Sequence, residues 1–113
     1  MTEPMDRVTE GLVERYLGLS RRARAKATVA LEDGHPSMPH LIDMLSMSDD
    51  YVSDAVHFLE QGQLVLAYGA LNYAHAWIDA AVRIGWLDGH DDDVLFTLPK
   101  DVRARPDAPG DRT

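Results

Sequence analysis

Between Leu41 and Ile84 apolar side chains recur every three or four residues, and the register breaks once, at Gln61, Gly62 and Gln63. That spacing is one face of an α-helix, and a glycine between polar residues is where a helix can close in the left-handed conformation. The pattern therefore predicts two helices joined by a turn so short that they must form an antiparallel hairpin. The first of the two starts near Ser37, a possible N-cap, after a loop marked by Gly34, Pro36 and Pro39. Its inner face is Leu41, Leu45, Val52, Ala55, Val56 and Leu59, with Asp43, Ser46, Asp50, Ser53, His57 and Glu60 outside. The second runs from about Gln63 to Ile84 and meets a C-cap glycine at Gly85.

Upstream, Met5, Val8, Leu12, Tyr16, Leu19, Ala23, Ala27 and Ala30 keep the same spacing, which predicts a long helix from about Glu3 to Ala30 with Thr2 as N-cap and Pro4 in the first turn. Glu3, Asp6, Glu10 and Glu14 come before Arg21, Arg22, Arg24 and Lys26, the order the helix dipole prefers. The fold class is thus all-α, a three-helix bundle over residues 1–87. Residues 88–102 hold an acidic turn and a short apolar run, Val94 to Leu98, that can dock back on the bundle. Residues 103–113, rich in Pro, Asp, Gly and Arg, are expected to be disordered.

The third helix carries two apolar rows. Leu64, Ala67, Leu71, Ala74, Ile78 and Val82 form one; Leu66, Ala70, Tyr73, Trp77, Ala81 and Ile84 form the other. Two rows need two sets of neighbours, so the second is the candidate interface with another copy or an unknown protein partner. The same helix carries a polar stripe of Asn72, His75, Asp79 and Arg83, side chains that neighbour one another on one face. Asp54 on the second helix has Met47, Tyr51 and Phe58 for stripe neighbours, which predicts a half-buried carboxylate in need of a partner such as His75 or Arg83. Together Asp54, Asn72, His75, Asp79 and Arg83 form a candidate structural or binding network. His57, His75 and Asp79 are weak metal-ligand candidates, with Asp54 or His57 able to supply a third ligand only if the hairpin register allows, and the expectation is that no metal is bound.

Composition narrows the function. The chain has 14 Asp against 5 Glu, 9 Arg against 2 Lys, and a net charge of -8. Such an Asp-rich, Lys-poor surface stays hydrated where salt screens charge within about 3 Å, and it points to a salt-loving cytoplasm. It also repels phosphate backbones, which disfavours nucleic acid as a partner; Arg15, Arg21, Arg22, Arg24 and Lys26 fan around the first helix and do not line a face. The absence of cysteine removes disulfides and thiolate chemistry. No window reaches the ~20 apolar residues of a membrane span, and Met1 to Arg7 lacks the basic start of a secretory signal. A cytoplasmic, non-membrane protein is expected. The acidic run Asp88 to Asp93 lacks the glycine and terminal glutamate of a calcium loop, and no phosphate-cradling glycine loop is present. No cofactor is implied.

From Asp50 to Trp86 the chain resembles the domain of unknown function 357, a family of small archaeal helical proteins. The matching pieces are Asp54-Ala55, the turn from Leu59 to Gly62, and Tyr73-Ala74-His75-Ala76-Trp77-Ile78-Asp79-Ala80 leading to Gly85. With the first helix the resemblance spans about residues 5–87. It implies a helical bundle in an archaeal cytoplasm and assigns no catalytic residue. Arg83 and His90 also faintly resemble the arginine and histidine of HEPN ribonucleases, though Gly85 and the acidic turn lie between them. The sequence thus supports a non-enzymatic interaction or self-association module first. A small-molecule or metal-binding accessory domain using the polar stripe comes second, and a HEPN-like ribonuclease third.

Overall fold

The computed structural model of the protein describes residues 6–97. Three helices carry the fold: α1, Glu10–Lys26; α2, Met38–Glu60; and α3, Leu64–Arg83. Two short strands, β1 (Thr28–Val29) and β2 (Leu87–Asp88), pair antiparallel with Thr28 opposite Asp88 and Val29 opposite Leu87. The all-α hairpin architecture is the one the apolar spacing predicts. None of the helices among the described residues is long and apolar enough to cross a membrane.

The C-terminal ends of α2 and α3 close by the same chemistry. At the end of α2, Gly62 adopts φ 72°, its N–H donates to Leu59 O, and Gln63 N–H reaches back to Phe58 O at 2.8 Å. At the end of α3, Gly85 adopts φ 87°, its N–H donates to Val82 O, and Trp86 N–H reaches Ala81 O at 3.0 Å. Each pair of bonds satisfies carbonyls that the last turn of a helix leaves open, and each needs a residue that tolerates positive φ.

The first helix is shorter than its periodicity suggests. It starts at Glu10, where the Thr9 hydroxyl accepts the N–H of Leu12 at 3.1 Å, and it stops at Lys26. At 17 residues it is the shortest of the three, against 23 and 20. Thr2, Pro4 and Met5 lie outside the described residues, as do residues 98–113. At the far end Ala27 turns extended, and the β-branched Thr28 and Val29 pair with β2, with Ala30 N–H donating to Trp86 O at 2.9 Å. Alanines at 27 and 30 hold the helical spacing but give it little weight, and the strand bonds win. Ser37 stands at the N-cap of α2 with no side-chain bond; the His35 ring nitrogen accepts the Ser37 N–H.

The core forms two clusters. Val13, Ala55, Ala67, Ala70 and Leu71 meet near the α2–α3 turn, and Ala23, Leu41, Ile78, Ala81, Val82, Leu87, Leu95 and Phe96 meet at the other end. Each large apolar side chain buried this way contributes about 1.5–3 kcal/mol. The first row of α3 is buried from Ala67 to Val82. Between the clusters Ser48 is 3 % exposed, and its hydroxyl donates to Ala74 O at 2.8 Å, tying α2 to α3.

Candidate functional site

The polar stripe of α3 faces α1 and the chain's own C-terminal segment. His75 Nε2 lies 2.7 Å from Leu95 O, and Asp79 Oδ1 accepts the N–H of Thr97. Leu95 and Phe96 are each 4 % exposed, inserted among Ala23, Leu41, Ile78 and Val82. Residues 92–97 thus form a strap across α3, held by an apolar pair and two bonds to the stripe. Asn72 Nδ2 donates to Tyr68 O of its own helix at 3.0 Å. Arg83 is half-buried at the end of the stripe and is not without a partner.

The turn that launches the strap is built by carboxylates. After Gly89, His90 and Asp91 take φ 56° and 59°, a left-handed pair that histidine and aspartate tolerate better than most residues. Asp92 Oδ1 accepts the N–H groups of Val94 and Leu95 at 3.0 and 2.9 Å, while Oδ2 takes Lys26 Nζ at 3.0 Å. The Leu95 N–H first, then the Lys26 ammonium, hold the Asp92 carboxyl below the usual carboxylate range. His90 is bound into the same turn: its Nε2 is 2.9 Å from Thr28 Oγ1, and its N–H donates to Asp88 Oδ1. Of the basic residues on α1, Lys26 pairs with Asp92 and Arg24 makes a two-point contact with Asp49 of α2 at 3.0 and 3.3 Å.

Asp54 departs from expectation. It is exposed on α2, and neither His75, which bonds the strap, nor any other cross-hairpin group holds it. Tyr51 and Phe58 on its stripe pack into the core cluster, but the short Asp54 side chain sits at the margin of that contact and stays in solvent. His57 is also exposed, its ring 6.0 Å from that of Phe58. A metal site shared between Asp54, His57, His75 and Asp79 has no geometric basis, because α3 turns its stripe away from α2. Among the described residues no three His, Asp or Glu side chains gather as a metal site.

Beside the strap lies a cavity of about 290 Å³, walled by Tyr16, Leu19 and Ser20 of α1, by Asn72, His75 and Asp79 of α3, and by the strap itself. The Tyr16 ring stands edge-on to Tyr68 at 5.0 Å, and the hydrogen bond between the two hydroxyls raises the Tyr16 pKa above its ordinary value. The part played by Ser20 was hidden in the sequence: it occupies an inward position of α1 between Val13 and Ala23 that apolar counting skips.

The second row of α3 divides. Ala70 and Ala81 are buried within the bundle, which removes them from the candidate interface. Leu66, Tyr73 and Ile84 are 52, 52 and 56 % exposed, and Trp77 is half-buried between them. Tyr73 stacks on Tyr51 at 4.5 Å and lies 6.1 Å from Trp77, beside a shallow cavity of about 230 Å³ that also touches Ala76. Trp77 Nε1 is buried with no partner among the described residues.

No curated protein matches the chain, and no solved structure does. A family model described as protein of unknown function matches residues 15–87, from the first helix to the first residue of β2. The chain belongs to that family, DUF357.

Proposed function

We propose that the protein is a non-enzymatic interaction module that self-associates, or binds a protein partner, through the open face of α3. The observation that carries this reading is the row Leu66, Tyr73, Trp77 and Ile84, joined by Val65 at 71 % exposure. From Leu64 to Val82 the only charged residue is Asp79, and its carboxylate is turned to the strap. On a chain of net charge -8 a helix face this free of charge is exceptional. From Leu66 to the C-cap Ile84 the helix rises about 27 Å at 1.5 Å per residue, long enough for a helix-to-helix contact. Gly69, Ala76 and Ala80, all on the exposed side, let a second helix approach closely.

The test is size-exclusion chromatography with light scattering in high salt, comparing the native chain with Leu66→Glu/Tyr73→Glu. Both positions are half exposed, so the variant is expected to keep its helicity and run as a monomer where the native chain runs as a dimer. A native chain that stays monomeric at high concentration, with no partner retained on purification, refutes the proposal.

A further inference from the structure

The cavity between α1, α3 and the strap has a one-sided chemistry. Its apolar wall is Leu19, Val94 and Leu95, and no Lys or Arg lines it. The polar groups on the other side offer a carboxylate and several open acceptor atoms. Asn72 Nδ2 donates to Tyr68 O, which leaves Oδ1 open. The partner of His75 Nε2 is a carbonyl, so Nε2 carries the hydrogen and Nδ1 of the neutral ring is an acceptor. Asp79 uses Oδ1 for the Thr97 N–H and keeps Oδ2.

Ser20 adds an independent observation. It is only 5 % exposed, lines the cavity, and its hydroxyl makes no hydrogen bond among the described residues. Trp77 Nε1 is the one sealed and unpartnered side-chain polar atom among those residues, so the Ser20 oxygen opens onto the cavity. That hydroxyl is therefore available to whatever occupies the cavity.

We infer that the cavity binds a small aliphatic amine or guanidinium compound. The cationic head sits on Asp79 Oδ2 and the Ser20 hydroxyl, with Asn72 Oδ1 and His75 Nδ1 as further acceptors, and the alkyl chain lies along Leu19, Val94 and Leu95. An anion would meet the Asp79 carboxylate with no Lys or Arg in the lining to offset it. A cation with several N–H groups finds acceptors on one side and an apolar shelf on the other. Because the strap supplies that shelf, binding also fastens residues 94–95 to the bundle.

The probe is agmatine, which carries an ammonium, a guanidinium and an alkyl chain, titrated into the full-length chain in high salt and followed by amide chemical shifts. The expected result is a saturable shift at Ser20, His75, Asp79 and Leu95, with Asp79→Asn weakening binding about tenfold or more, as for loss of a charged hydrogen bond. Asp79→Asn also weakens the strap bond, because an amide oxygen is a poorer acceptor than a carboxylate, so a second variant, Asn72→Phe, fills the cavity from an exposed position whose side chain bonds its own helix. It is expected to abolish the shifts with helicity unchanged. The inference is overturned by an absence of shifts at Ser20 and His75 up to about 10 mM agmatine, beyond the range of a specific site. It is overturned equally by native affinity in Asn72→Phe, or by shifts confined to residues 88–93 that salt removes.

Discussion

Replacing Gly89 by alanine isolates how tightly the strap is seated. A Cβ built at Gly89 falls 2.7 Å from Phe96 Cδ2, 3.2 Å from Phe96 Cγ and 3.1 Å from Val82 Cγ1. Carbon pairs settle at about 3.5–4.0 Å, so at its tightest contact the new methyl lacks at least ~0.8 Å. The atoms it meets are the root and near edge of the ring, and they cannot swing aside as a flexible side-chain tip would. Phe96 and Val82 are 4 % and 2 % exposed, which leaves no free space to yield into. Gly89 is not among the positive-φ residues, so backbone strain adds nothing. Overpacking of this kind costs about 1–3 kcal/mol, and the lower chain entropy of alanine in the unfolded state returns about 0.4–1 kcal/mol. A net loss of about 1–2 kcal/mol is expected in urea unfolding at fixed salt, read as a lower midpoint with an unchanged slope. Phe96→Leu alone removes ring atoms from the core and costs about 1–1.5 kcal/mol. In the double variant the ring edge that collides is gone, so the two losses should fall short of their sum by at least ~1 kcal/mol. Strict additivity, or a neutral Gly89→Ala, would refute the seating of Phe96 on Gly89.

Two further perturbations probe the helix contact and the turn. Ser48→Leu forces a larger side chain into a position that is 3 % exposed and should cost about 1–3 kcal/mol, whereas Ser46→Leu, exposed on the same helix, should stay within ~0.5 kcal/mol; equal losses in thermal unfolding would contradict the packing of α2 on α3. The native turn depresses the Asp92 pKa, so its support is in place above the ordinary carboxylate range and is lost as pH falls through the lowered value. The Val94 and Leu95 amide resonances should therefore move together on acidification, and Asp92→Asn should remove that titration; an unaltered titration in the variant would show that another group drives it.

What the sequence revealed, and what it hid, follows from the range of the forces involved. The α2–α3 hairpin was legible because every part of its specification is local: apolar spacing, a glycine at 62 and another at 85, and bonds that reach back no more than five residues. The ends of α1 were not. Thr9 and Thr2 are equally good caps on paper, and the pairing of Thr28 with Asp88 joins residues far apart in the chain, which periodicity cannot see. The polar stripe shows the same divide. Spacing establishes that Asn72, His75, Asp79 and Arg83 share a face, but whether that face meets α2, α1 or the strap is decided by packing. Asp54 was therefore assigned to a partnership that the orientation of α3 does not permit.

The same geometry explains why one row of α3 stays open. A helix offers its whole circumference to neighbours, and here three of them divide it: α2 and α1 cover the row from Ala67 to Val82, and α1 with the strap covers His75 and Asp79. Where the bundle comes closest the second row is alanine, at positions 70 and 81, and is buried; where the described residues leave it about half exposed it is Leu66, Tyr73 and Ile84. Leaving large apolar side chains in water in place of Ser or Lys gains the monomer nothing, because burial is what makes such residues favourable. The family match ends at residue 87, before the strap begins. The groove that the strap fills and the face that it leaves open are therefore separate features of α3, the one covered by residues 92–97 and the other the face on which the proposed association rests.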